Sequence, residues 1–379
     1  MAGQDFILLV FLHGLLIKNI KYGISFKTKH LTKHSKIFFE AYKLNNLYSG
    51  LGQFCFHLLD AFHQMHEHDI RVGINKPTQW LNSWTFATTV LKPQHRYWGV
   101  PLQHQKVFHA THQDTVFFPR KKSVPVVLTV HDLNFLYKYS PFRSKLKLHH
   151  LQRKINRADC ITAVSEFTAS QLRAHVNLKS KPVHVIYNGN ALQQKTNTAK
   201  VHINTQAPFL LFMGTLTERK QVHLLIDMMQ YIPDLALCLA GTAHSTYATL
   251  LAKQIVQLKL QSRVFILGEV SESQRLWLYQ NCEALVFPSV AEGFGLPVIE
   301  AMSIGKPVFI SNVASLPEIA GSHAYVWNTL KSPEMAELVN ASLQTMHMPL
   351  NIQQRIAHAA QFSWNAAALK YLSIYQNYM

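Results

Sequence analysis

Leu285-Val-Phe-Pro-Ser-Val-Ala-Glu-Gly-Phe-Gly-Leu-Pro-Val-Ile-Glu-Ala-Met-Ser-Ile-Gly-Lys-Pro-Val-Phe-Ile310 reads as a strand, a glycine-rich loop, a helix and a second strand. Pro297 suits the first helical turn, where its missing amide hydrogen is not needed. Gly305 suits the position just past the helix, and Pro307 stops its continuation. The spacing puts Glu292 in the loop and Glu300 near the first turn of the helix. Gly293 and Gly295, flanking Phe294 and followed by Leu296, let backbone come close to a ligand, and free amides at a helix start form a site for a diphosphate.

Outward from this unit, the alternation of strand and helix continues in both directions. Apolar runs at Pro208–Met213, Leu235–Ala240, Val264–Leu267, Ala284–Phe287 and Pro307–Ile310 predict strands, with helical segments between them. Upstream, Lys36–Glu40, Val124–Val130 and Cys160–Val164 predict buried strands. Ser165 caps a helix over Phe167–His175, and Ser49-Gly-Leu-Gly52 is a glycine turn leading into a helix. Alternating strands and helices imply parallel sheets covered on both faces, here an α/β chain with two doubly wound, Rossmann-like domains. The polar stretch after Tyr187-Asn-Gly189 is the linker candidate. The predicted organisation is an extension over residues 1–34, a first domain over 35–190, a linker over 191–206 and a second domain over 207–360. A last helix over 361–379, opened by Ser363, is expected to pack back on the first domain.

Two domains also follow from size, since 379 residues exceed what one core usually organises. With 48% apolar and 15% charged residues the chain is globular rather than disordered. Cys55, Cys160, Cys238 and Cys282 form no CxxC or zinc spacing, which fits a reducing, cytoplasmic compartment. Thirty-seven Lys and Arg against twenty Asp and Glu, +17 in all, make a surface that attracts polyanions. No nucleic-acid motif accompanies that charge, so nucleic acid is not expected as a partner, and an anionic membrane surface at the inner face of the plasma membrane is the other candidate. The apolar run over residues 6–17 is shorter than a bilayer span, and its basic residues follow it where a signal peptide would have them precede.

Two glutamates eight positions apart around Gly-Phe-Gly-Leu-Pro, with Phe287-Pro-Ser before them and Ser315-Leu-Pro-Glu-Ile-Ala-Gly321 after, closely resemble the E-x7-E signature of retaining GT-B glycosyltransferases, the glycosyl transferases group 1. The resemblance covers roughly residues 36–379 and implies two Rossmann-like domains facing a cleft. It implies that Glu300 holds the donor ribose and that Glu292 lies by the donor sugar, where a carboxylate favours a developing oxocarbenium ion. Gly214-Thr-Leu-Thr-Glu-Arg219-Lys220 resembles the family's loop whose basic side chains hold the diphosphate, so no metal is expected. Gly52 falls in the first glycine loop, which closes over the donor phosphates in relatives, although Gln53 stands where many have Arg. His131 follows a buried strand at the family's Thr-Val-His-Asp and is the candidate for orienting or deprotonating the acceptor, as an imidazole titrating near neutrality can. His109 and His112 are read either as acceptor-side lining or as structural packing. The expected reaction moves a hexose from a UDP- or GDP-sugar to a glycan or lipid-linked hydroxyl in surface polysaccharide or lipopolysaccharide synthesis, with short segments leaning towards mannosyltransferases. The alternative is a GT-B-shaped binding or scaffold protein without catalysis.

Overall fold

The computed structural model describes residues 35–67, 69–77, 84–190, 192 and 198–379. The apolar run and basic stretch before residue 35, and most of the 191–197 part of the linker candidate, lie outside the described residues. The first sheet comprises β1 (Ile37–Glu40), β2 (Ile70–Ile74), β3 (Ala87–Val90), β4 (Val107–Ala110), β5 (Val126–Val130), β6 (Cys160–Ala163) and β7 (Val183–Val185). The second comprises β8 (Phe209–Met213), β9 (Ala236–Ala240), β10 (Val264–Gly268), β11 (Ala284–Phe287), β12 (Val308–Ser311) and β13 (Tyr325–Trp327). Every pairing within them is parallel, and their orders are β3-β2-β1-β4-β5-β6-β7 and β10-β9-β8-β11-β12-β13.

The apolar runs become strands because helices cover both faces. All residues of β1, β4, β5, β6, β8, β9, β11 and β12 are buried, whereas the edge strands β3, β7, β10 and β13 are only partly covered. In the first domain the covering helices are α1 (Gly50–Gln64), α2 (His95–Trp98), α3 (Phe135–Lys138), α4 (Pro141–Arg157) and α5 (Glu166–His175). In the second they are α6 (Val222–Met228), α7 (Thr246–Gln257), α8 (Glu272–Asn281), α9 (Leu296–Ser303), α10 (Leu316–Ala320), α11 (Ser332–Ser342) and α12 (Pro349–Ala359).

The last helix, α13 (Trp364–Gln376), begins at the Ser363 cap, whose hydroxyl accepts from the Ala366 amide, and lies on the first sheet. Its Tyr371 hydroxyl is 2.9 Å from Thr129 Oγ1 and its Tyr375 hydroxyl 2.6 Å from His109 Nδ1. The return crossing is tight at Gly189, where a Cβ would meet the Trp364 amide nitrogen at 2.1 Å. A side chain there would push α13 off the domain that it completes.

Candidate active site

In each sheet the strand order reverses once, between β1 and β4 and between β8 and β11. Such a reversal opens a crevice at the carboxyl ends of the two strands, because their following loops run to opposite faces. The crevices face one cleft of about 390 Å³, lined from both domains.

The loop after β8 turns at Gly214, with φ of +146°, and reaches Lys220 in a short 3-10 turn over Glu218–Lys220. Lys220 is buried, not part of an exposed basic pair. Its Nζ lies 2.5 Å from Glu292 Oε1 and 4.3 Å from the centroid of the Phe287 ring. Arg219 Nη1 donates to Ala291 O at 2.6 Å and to Glu292 Oε1 at 2.7 Å, and Ser289 Oγ donates to the same oxygen at 2.5 Å. Glu292 Oε1 is therefore crowded, while Oε2 has no hydrogen-bond partner among the described residues. Burial works against the charge of both ions. It brings Lys220 down to about 8 despite Glu292, whereas the two cations and Ser289 outweigh it at Glu292 and hold that carboxyl below its usual range. Near neutral pH the pair is ionised, and two cations against one carboxylate leave a net positive charge on the cleft floor.

Gly295, at φ +104°, is the residue before α9, and Gly305, at φ +78°, follows its end, as the sequence pattern requires. Glu300 is the fifth residue of α9, just past its first turn, and lines the cleft. The Tyr279 hydroxyl donates to Glu300 Oε2 at 2.7 Å and Arg275 Nη2 is 3.3 Å from Oε1. Both partners come from α8, and Arg275 itself lines the cleft beside Thr242 and Glu269.

From the first domain the cleft takes His131, Asp132 and Asn134 after β5, and the turn over residues 47–51 with Gln53. The glycine loop docks on this domain directly: a Cβ on Gly293 would lie 1.8 Å from the His131 carbonyl oxygen. Ser165 Oγ donates to Gly293 O at 2.6 Å, and the Glu318 carboxylate caps α5 by accepting from the amides of Glu166 and Phe167 at 2.7 and 2.8 Å. His131 Nε2 is 2.8 Å from Thr111 O, and a carbonyl partner requires that nitrogen to carry the proton. Burial lowers the pKa of His131 to about 4, so it is neutral at physiological pH and does not titrate near neutrality as its type suggested.

Three expected site residues lie elsewhere. His109 is fully buried inside β4, bonded to Thr129 Oγ1 at 2.7 Å and to Tyr375, and is a core histidine rather than acceptor-side lining. His112 is also buried, 4.0 Å from the carboxylate of the buried Glu40, and does not reach the cleft. Gly52 faces inward, where a Cβ would meet Asn46 O at 1.9 Å, and its amide donates to the Ser49 cap; Gly50 and Leu51 line the cleft instead. Arg275, Tyr279 and Asp132 are cleft or supporting residues that the sequence reading did not select.

Two parallel-sheet domains facing each other over a cleft, with a glutamate in the glycine loop and another on the following helix, have the architecture of the GT-B fold. The model of the glycosyl transferases group 1 matches residues 193–362, just under half of the chain, and the model of glycosyltransferase family 4 matches residues 48–194. The O-antigen chain mannosyltransferase RfbU of Salmonella typhimurium is 28% identical over 202 residues, 53% of this chain and 56% of that protein. The O-antigen chain mannosyltransferase B of Escherichia coli is 23% identical over 308 residues, 76% of this chain and 79% of that one. In fold, the chain is similar to Anabaena HepE, solved in complex with UDP and glucose, with a TM-score of 0.70 and 18% identity over 91% of this chain and all of that one.

Proposed function

We propose that the protein transfers a hexose from a nucleoside-diphosphate sugar to a hydroxyl acceptor with retention of configuration, in the synthesis of a surface polysaccharide or lipopolysaccharide. One observation carries the reading: the Arg219–Lys220–Glu292 constellation on the floor of a cleft shared by the two domains. Lys220 has three donor hydrogens and Arg219 five, so both keep donors for a diphosphate after contacting Glu292. Their charge would stabilise the leaving diphosphate, and the reading assigns that role to them and not to a metal ion. Glu292 Oε2, free of partners among the described residues, is the oxygen to hold a sugar hydroxyl or face positive charge developing at the anomeric carbon. Glu300 takes the ribose, with Tyr279 and Arg275 fixing its carboxylate. His131, contributed by the other domain, faces the acceptor side with Nδ1 unprotonated.

The O-antigen mannosyltransferases among its relatives support GDP-mannose as the first donor to try and a lipid-borne or glycan hydroxyl as the acceptor class. Incubation with UDP- and GDP-sugars and a membrane extract tests the reading by release of nucleoside diphosphate and by the anomeric configuration of the product. Release from none of them, with nucleotides still bound, favours the non-catalytic binding protein; an inverted product overturns retention.

A further inference from the structure

Between Leu133 and Ala158 the chain has seven lysines and arginines and no aspartate or glutamate. Most of this segment is α4. Its buried face is marked by Ser144, Leu151 and Ile155. At about 100° per residue, Phe142, Leu146, His149 and Arg153 form a stripe on the opposite side. Phe142 is 72% and Leu146 48% exposed, and Tyr137, on the adjoining α3, is 58% exposed. Nearby acids do not neutralise this face: Asp114 is 3.9 Å from Lys147 and Asp159 is 3.6 Å from Arg157. Arg143, Lys145 and Arg153 have no ion-pair partner among the described residues.

Large apolar side chains pointing to solvent amid unpaired cations suit neither a core nor a plain solvated surface. They match the interface of a bilayer, where aromatic and aliphatic groups enter the headgroup layer and lysine and arginine meet anionic lipid. The position in the fold adds to this. α3 begins directly after Asn134, a cleft residue, and Ser144 Oγ donates to the carbonyls of Phe135 and Tyr139, tying the start of α4 to that lip. We infer that the outward face of α4, with Tyr137, docks the first domain on an anionic bilayer and sets the cleft at the lipid surface. The docking face rests on these residues alone; its use in delivering a lipid-borne acceptor rests on the proposed glycosyl transfer.

Flotation of the full chain with phosphatidylcholine vesicles, with and without phosphatidylglycerol, tests the inference. The wild type should float only with the anionic vesicles and be released by salt. R143E/K145E/R153E should cut partitioning at least a hundredfold, at about fivefold for each charge removed. F142S/L146S should weaken it at least about tenfold, while K253E/K259E on the second domain should leave it unchanged. Far-ultraviolet circular dichroism shows whether each variant is folded, and stabilisation by UDP or GDP on heating separates the two readings. Vesicle binding without nucleotide binding sinks the transferase and keeps the docking face. Nucleotide binding with no flotation, or flotation of the triple variant at the wild-type level, overturns the docking face. So does retention on duplex DNA that the triple variant loses while neither protein floats.

Discussion

Lys220 Nζ lies 2.5 Å from Glu292 Oε1, joining the loop after β8 to the loop after β11 across the strand reversal of the second sheet. Neither ion is tolerable alone at this depth. Removing one partner of a buried pair leaves an uncompensated charge, whereas together they hold one net cation, with Arg219, where a diphosphate would rest.

The lysine sets an alkaline limit. Its folded-state pKa is about 8 against an ordinary 10.5, so above about pH 8 the folded protein loses the proton that the unfolded chain still holds. This group therefore adds to folding stability as pH rises from 8 to 10.5, while the charge needed for a diphosphate disappears over the same range. We expect kcat/KM for the donor to fall with an apparent pKa near 8, and Lys220→Arg to abolish that limb, since a guanidinium stays charged. An unchanged limb in the arginine variant would assign it to another group.

Glu300 has its carboxylate fixed by Tyr279 and Arg275. Glu300→Gln should weaken UDP or GDP binding by about ten- to a hundredfold, the range for a lost hydrogen bond to a charged group. Tyr279→Phe, which removes only the supporting hydroxyl, should cost a few-fold. Titration calorimetry separates the two, and equal losses would make Glu300 a structural residue.

Gly293 packs directly on the first domain. A methyl group there has no room beside the His131 carbonyl, and backbone cannot turn aside as a flexible side chain would. Gly293→Ala should lower stability by about 1–3 kcal/mol, as overpacking does, and should also impair turnover, because the loop carrying Glu292 must shift. Chemical denaturation and donor kinetics on one preparation check both effects; a variant stable but inactive would confine the glycine's role to catalysis.

The donor half of this site could be read from sequence because it is nearly contiguous: Glu292, Gly293, Gly295 and Glu300 lie on one loop and one helix whose start and stop are written in glycine and proline. Arg275 and Tyr279 could not be, since α8 carries the mixed pattern of any half-covered helix and only the sheet order brings it under Glu300. His109 and His131 look alike from sequence, each near the end of a strand. What separates them is Tyr375, 266 residues further on, which claims the His109 ring for the core. Strands β2, β3, β4, β7 and β13 do not show in the sequence pattern for a related reason: β3, β7 and β13 are short edge strands, the pattern of β2 is interrupted by Arg71 and Gly73, and the four residues of β4 include His109.

Burial of His109, His112 and His131 makes the fold sensitive to acid. Their folded-state pKa values are about 3, 3 and 4 against an ordinary 6.5, so between those limits the unfolded chain binds more protons and stability falls as pH drops. Glu40 and Asp132, whose carboxyls burial raises, offset part of that uptake. The net dependence should correspond to about one or two protons below pH 6.5 in urea titrations. His109→Gln should reduce the slope by about one proton without altering nucleotide affinity; a loss of acceptor binding in that variant would return His109 to the acceptor side.

His131 differs from those neighbours in lining the cleft. Its Nε2 hydrogen is committed to Thr111 O, so Nδ1 carries the lone pair, and the low pKa keeps the ring in that form throughout the neutral range. A neutral imidazole of fixed tautomer can accept the hydrogen of an incoming hydroxyl, but its lowered basicity suits orienting that hydroxyl better than removing its proton early. Because Gly293 packs on the His131 backbone, His131→Ala keeps the domain contact and deletes only the ring. Turnover should drop about a hundredfold or more, with donor affinity within about twofold, while the wild-type kcat should show no ionisation of this residue above about pH 5. A kcat limb between pH 6 and 7 that disappears in the alanine variant would show that donor binding restores an ordinary, titrating histidine, and the ring would then act as a base.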